Sequence, residues 1–297
     1  MTAPDLDFAR RLRDVGNDLP AVAALYEPLL AQQDRSGVRV HTELPYGPHT
    51  RHRLDVYQPE GPAPAGGWPV LVFLHGGGFI RGHKGHRANL GVFMAQQGFV
   101  AVLPNYRLAP DEHWPCGPQD VAAVWQWLQR HGPQWGADAQ RVVLMGESAG
   151  AAHVAAATLM RRFQPEGWRI AGAVLLSGPY NARLEGLSRP QFGIATPDPR
   201  NEAYFGPDPA AWDAASIVDH IDAAPLPLWI SWTEWDLLQM QVQAGELFAR
   251  LVSRHGFQPR LTVLPQHNHF SQGYTFGTAD TTLSAPLLAF LREITQA

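Results

Sequence analysis

Apolar and polar positions change their spacing several times along the chain, and each change marks a predicted element. Residues 5–14 and 20–33 repeat apolar side chains every three or four positions, with Val22, Leu25 and Leu29 on one face. That spacing predicts two amphipathic helices. Pro28 lacks a backbone donor and is expected to kink or end the second. VRVHTEL (38–44) and HRLDVYQP (52–59) alternate instead, on either side of the turn-rich PYGPHT. This is the period of a half-exposed antiparallel pair. EGPAPAGG (60–67) reads as a surface loop.

From residue 69 the strands lose their alternation. PVLVFLH (69–75), FVAVLPNY (99–106), RVVLM (141–145), RIAGAVLLSG (169–178), PLPLWISW (225–232) and RLTVLP (260–265) are short apolar runs. Such runs suit a sheet covered on both faces. Helical spacing lies between them at 87–97, 118–130, 149–162 and 238–255, and a closing helix is expected at about 281–294. Val121, Val124, Trp125 and Leu128 should face inward from one helix, and Leu247, Leu251 and Val252 from another. Strands alternating with helices imply an α/β fold with a mostly parallel sheet flanked by helices. Residues 180–222 break the rhythm with prolines and aromatics, among them Pro190, Phe192, Tyr204, Phe205 and Trp212. The stretch reads as an insertion at the C-terminal edge of the sheet, where ligands bind in open α/β folds.

Composition narrows the chemistry. A chain of 297 residues can bury a large core without disulfides or metals. The single cysteine, Cys116, excludes internal disulfides and multi-cysteine zinc sites, and a buried packing position is expected for it. Net charge is −4, with no basic run, so no nucleic-acid partner is expected. Only Lys84 among the 23 basic residues is a lysine, which argues against Schiff-base or Ser-Lys chemistry. No apolar run is long enough to span a membrane. The charged first residues lack a secretory h-region, so the expected location is cytoplasmic.

Gly146-Glu147-Ser148-Ala149-Gly150 sits between a predicted strand and a predicted helix. In that context G-x-S-x-G is a nucleophile elbow, a tight turn that lifts Ser148 above the sheet. His75-Gly76-Gly77-Gly78-Phe79 directly follows the first buried strand. Its glycines can aim backbone N–H groups at one spot and, with the N–H of Ala149, form an oxyanion hole. A phosphate loop is the competing reading, but G-K-[ST] is absent and Arg81 spoils G-x-G-x-x-G. His75 is expected to support the loop rather than act as a base.

HGGGF, YRLAP (106–110) and GESAG, in that order, resemble the hormone-sensitive-lipase-like carboxylesterases of the α/β-hydrolase superfamily, over roughly 68–297. The resemblance implies a single α/β-hydrolase domain over 1–297, with an eight-stranded, mostly parallel sheet. It implies a helical cap made by 1–45 and 180–222, preference for short acyl esters, and no cofactor or metal. It also assigns the oxyanion N–H groups to Gly77, Gly78 and Ala149. The superfamily order of nucleophile, acid, histidine puts an acid after the fifth buried strand. Asp236 in TEWDLL fits the matching position, with Glu234 as rival. The histidine should follow the last strand, in PQHNHFSQ (265–272). His269 directly precedes Phe270, where the family more often has one residue between, and this leaves His267 open.

A triad of Ser148, Asp236 and His269 is therefore expected, with Phe79, Trp232 and Trp235 contacting substrate. Trp114 and Trp212 are assigned to ordinary packing at least as readily as to a pocket. His83 and His86 in GHKGHR read as a solvated loop rather than a metal site. The expected partner is a small-molecule ester, with a homodimer left open. An arylformamidase using the same residues, or a silent binding protein on this fold, are the alternatives.

Overall fold

The computed structural model describes residues 5–187 and 199–296. Among the strands buried at every position are two from apolar runs at the centre of the sheet, Trp68–Leu74 (β3) and Val100–Pro104 (β4). Beside them lie Val38–Pro45 (β1), Arg53–Pro59 (β2), Ala137–Glu147 (β5), Gly172–Leu176 (β6), Leu228–Trp235 (β7) and Arg260–Asn268 (β8). The eight strands make one sheet in the order β1-β2-β4-β3-β5-β6-β7-β8. β2 runs antiparallel to both β1 and β4, and every other neighbouring pair is parallel.

The two-residue period of a strand divides the core. Val70, Val72 and Leu74 of β3 join a cluster with helices Cys116–His131 (α4), Ala149–Leu159 (α5) and Leu238–His255 (α8). Leu71 and Phe73 face the other way, against Ala88–Gln96 (α3) and Ser284–Thr295 (α9). Both faces are therefore covered, as continuous apolar runs require. The inward positions expected of α4 are all buried.

Several expectations need correcting. β2 is not half-exposed: it lies inside the sheet between β1 and β4, and its middle positions are buried. Val252 faces out at 47% exposure, because the buried face of α8 runs through Met240, Gln243, Ala244, Leu247 and Leu251. In the N-terminal hairpin of Leu6–Val15 (α1) and Leu19–Leu30 (α2), Leu29 is exposed, and Tyr26 takes the buried place beside Val22. Pro28 does not break α2, which runs two residues beyond it. Asp18 caps α2 by accepting from the Ala21 N–H at 2.9 Å, and Pro20 occupies the first turn, where no donor is needed.

The stretch 1–45 divides. Its helices lie over the end of the sheet, whereas Val38–Pro45 is edge strand β1. Within 180–222 the described residues form Ala182–Leu187 (α6), Pro199–Phe205 (α7) and short 3-10 turns at Pro209–Trp212 and Ile217–Asp219. Pro190 and Phe192 lie outside the described residues.

Candidate active site

β5 ends at Glu147 and α5 begins at Ala149, so Ser148 alone makes the turn between them. Its φ of 52° is unusual for a non-glycine residue and marks local strain. The turn closes only because Gly146 has no side chain: a Cβ there would lie 2.4 Å from the Gly150 carbonyl. The Ser148 N–H donates to Leu176 O at 2.8 Å, tying the elbow to β6.

The oxyanion loop follows β3. Gly77 has φ +141°, and a Cβ there would meet Arg81 O at 1.9 Å, so the loop folds back on itself only with glycine. Its carbonyl accepts from the Arg81 N–H at 3.2 Å. His75 is buried and stacks on Tyr106 with ring centroids 4.4 Å apart, and its Nδ1 lies 2.7 Å from Gly76 O. Desolvation pushes its pKa down to about 3, which suits a neutral loop support. Gly77, Gly78 and Ala149 all line the cavity that holds Ser148.

Across the cavity, His269 follows β8 and Asp236 follows β7. His269 Nε2 lies 3.0 Å from Ser148 Oγ, and His269 Nδ1 lies 2.7 Å from Asp236 Oδ1. An ionised Asp236 can only accept, so it accepts a hydrogen bond from Nδ1–H, and Nε2 is left to accept from the serine hydroxyl. Asp236 also accepts from Ser177 Oγ at 2.5 Å, the Thr233 N–H at 3.1 Å and the Leu237 N–H at 2.8 Å. Burial pushes the carboxyl up. The charge and hydrogen bond of His269 and the donors Ser177 and Thr233 outweigh it, and Asp236 stays below the usual carboxylate range. Gln272 Nε2 donates both to Ser177 Oγ and to His269 O, which joins the acid to the histidine's own loop.

The rival residues lie elsewhere. Glu234 is exposed and accepts from the Gln266 N–H at 2.8 Å. His267 is fully buried, with Nδ1 3.0 Å from Ser271 Oγ and Nε2 3.1 Å from Asp280 Oδ2. Ser148 thus meets His269 and not His267.

The cavity has a volume of about 400 Å³. Phe79 is in its wall and stacks on Tyr204 of α7 at 4.5 Å. Trp232 and Trp235 are not among the described wall residues of this cavity. Trp232 packs on the core cluster shared by α4, α5 and α8, and Trp235 packs under the N-terminal hairpin beside Leu12, Val22 and Tyr26. Leu19, Pro20 and Ala23 of α2, Arg200 and Asn201 of α7, and Leu237, Gln239 and Met240 take the wall positions instead. None of these stood out in the sequence, since no local pattern says which loop residues converge.

Beneath the elbow, Arg87 grips Glu147 through Nη2 at 2.8 Å and Nε at 3.1 Å, both side chains being buried. The guanidinium lies 4.2 Å over the Tyr274 ring, which stacks on Tyr26 of α2. Cys116 is buried at the start of α4, and desolvation pushes its thiol up to about 12. Lys84 is buried and paired with Glu43 and Asp55. Exposed His83 caps its own turn, accepting from the Gly85 N–H. Among the described residues, no three His, Cys, Asp or Glu side chains are grouped to hold a metal, and no helix is long and apolar enough to cross a membrane.

Known proteins agree with this architecture. The model of the alpha/beta hydrolase fold family matches residues 71–272. A probable isoprenylcysteine alpha-carbonyl methylesterase of Arabidopsis thaliana is 27% identical over 247 residues, 77% of this chain and 51% of that one. An ethyl acetate hydrolase of Pseudomonas putida is 36% identical over 102 residues, 33% of this chain and 32% of that one. The chain spans about half the length, or less, of the curated relatives it matches. Among solved structures, a bacterial heroin esterase superposes with TM-score 0.73 at 25% identity, covering 99% of this chain and 94% of that one. Esterase B of Lactobacillus rhamnosis superposes with TM-score 0.76 at 18% identity, covering 98% and 97%, which speaks to fold alone. With two thirds of its residues inside the matched span and the sheet order to go with it, this chain belongs to the alpha/beta hydrolase fold family, among the hormone-sensitive-lipase-like carboxylesterases.

Proposed function

We propose that this chain is a serine carboxylesterase hydrolysing short-chain esters through Ser148, His269 and Asp236. One observation carries the reading: an unbroken relay of 3.0 Å from serine to imidazole and 2.7 Å from imidazole to carboxylate. It opens on the same cavity as Gly77, Gly78 and Ala149.

In the reaction, Ser148 Oγ attacks the ester carbonyl carbon while His269 Nε2 takes its proton. Asp236 holds the ring in the right tautomer and stabilises the imidazolium. The N–H groups of Gly77, Gly78 and Ala149 receive the developing oxyanion, each donor being worth about 10²–10³ in rate. Collapse of the tetrahedral species breaks the bond to the alcohol, which leaves with the proton from His269. Water, activated by His269, then attacks the acyl-serine and releases the acid and the free hydroxyl.

The cap in this proposal is the hairpin α1–α2 with the 180–222 insertion. Its support is that Leu19, Pro20 and Ala23 from the first, and Arg200 and Asn201 from the second, share the cavity wall. A volume near 400 Å³ lies at the small end of ligand pockets and favours short acyl groups. The reading includes a small-molecule ester as partner, supported by the serine–histidine–aspartate relay, and a cytoplasmic setting.

A panel of 4-nitrophenyl esters from acetate to palmitate, with an N-formyl anilide alongside, tests it. Turnover should be greatest from acetate to butyrate, and Ser148→Ala should lower kcat by about 10⁵–10⁶. Absence of ester turnover in the unmodified protein would overturn the reading. Faster hydrolysis of the formyl anilide would move it to the formamidase alternative.

A further inference from the structure

The acid and the histidine leave adjacent parallel strands, and the ladder between those strands is irregular just there. β7 and β8 pair regularly from Trp229 with Arg260 to Thr233 with Leu264, then shift register before Trp235 meets Asn268. Asp236 and His269 are the next residue on each strand. Their separation is therefore set where the sheet no longer sets it.

A residue from the far end of the chain spans this gap. Asn17, in the turn between α1 and α2, donates through Nδ2 to Trp235 O at 3.1 Å. Its Oδ1 accepts the His269 N–H at 2.9 Å. One side-chain amide thus offers a donor to one strand end and an acceptor to the other, as a neighbouring peptide unit would. The contact is answered from the opposite side. Asn268, fully buried, donates through Nδ2 to Gly16 O at 2.6 Å, and its Oδ1 accepts from the Phe270 and Ser271 N–H groups. Two asparagines therefore stitch the N-terminal turn to the loop that carries the histidine.

We propose that Asn17 is a positioning residue whose side-chain amide sets the spacing of Asp236 and His269. The inference rests on the triad reading above. Asn17 is exposed, so its two hydrogen bonds add little to global stability. Their effect is geometric, and a misplacement of about 1 Å at a reacting group can cost about 10² in rate.

The test compares Asn17→Ala with Asp18→Ala in the whole 297-residue chain. Asp18 is the neighbouring helix cap, whose side chain accepts from the Ala21 N–H within its own helix. With 4-nitrophenyl acetate, Asn17→Ala should lower kcat at least tenfold with KM within about twofold. It should also shift or broaden the low-field proton resonance of the His269–Asp236 hydrogen bond, with Tm nearly unchanged. Asp18→Ala should lower Tm and leave kcat and that resonance in place. An unchanged kcat and resonance in Asn17→Ala would overturn the proposal, as would equal loss of kcat in both variants. Asp236→Asn serves as the control for the parent reading: if it retains full turnover, the triad itself has failed.

Discussion

The two halves of the site are built in opposite ways. The nucleophile half comes from short, contiguous motifs, HGGGF and GESAG, each at the C-terminal end of a central strand. Steric necessity acts locally there, as the impossible Cβ contacts at Gly77 and Gly146 demonstrate. The acid–histidine half is assembled from β6, β7, β8 and the N-terminal turn, through Ser177, Asp236, His269, Gln272 and Asn17. Local backbone shape defines the first half, while long-range hydrogen bonds define the second. The first should tolerate loss of remote contacts, and the second should not.

The sharpest way to break this comparison is to exchange the roles of the two histidines. His269→Ala should lower kcat by about 10⁵ while the fold persists. His267→Ala should keep most of the turnover but lose about 1–3 kcal/mol of stability, because it leaves the buried Asp280 carboxylate without the imidazole that lies 3.1 Å from its Oδ2. Parallel kinetics and urea denaturation would decide. A collapse of turnover in His267→Ala with no loss of stability would reverse the assignment.

A smaller effect sharpens the contrast from the nucleophile side. His153 in α5 is fully buried among Phe79, Tyr106 and Tyr204, and desolvation pushes its pKa down to about 3. The unfolded chain takes up that proton near its ordinary value of about 6.5, whereas the folded chain does not until about 3. Stability tied to His153 is thus fully present above about pH 6.5 and is lost progressively as pH falls towards 3. His153→Leu should flatten the pH dependence of the urea midpoint between pH 7 and 5, by up to about 1.4 kcal/mol per pH unit. An identical slope in the variant would contradict this.

These contrasts explain what was legible in the sequence. The eight strands, the helices between them and the elbow follow from periodicity and glycine placement, both local properties. Asp236 and His269 could be chosen only through resemblance, since nothing local separates His269 from His267 two residues away. The burial of β2 was missed because alternation in a strand does not reveal whether neighbours cover both faces. Trp232 and Trp235 flank the acid in sequence yet turn to the core and the N-terminal hairpin, because proximity along a strand does not decide which side a ring faces. Asn17 gave no signal at all: its role depends on two partners at the other end of the chain.

The central claim is that Ser148 is made nucleophilic by His269. Its most direct test is labelling with a fluorophosphonate, read by intact mass and peptide mapping. The account predicts one adduct per chain, on Ser148, forming at the normal rate in His267→Ala, far more slowly in His269→Ala and not at all in Ser148→Ala. An adduct on another residue, or undiminished labelling of Ser148 in His269→Ala, would contradict it.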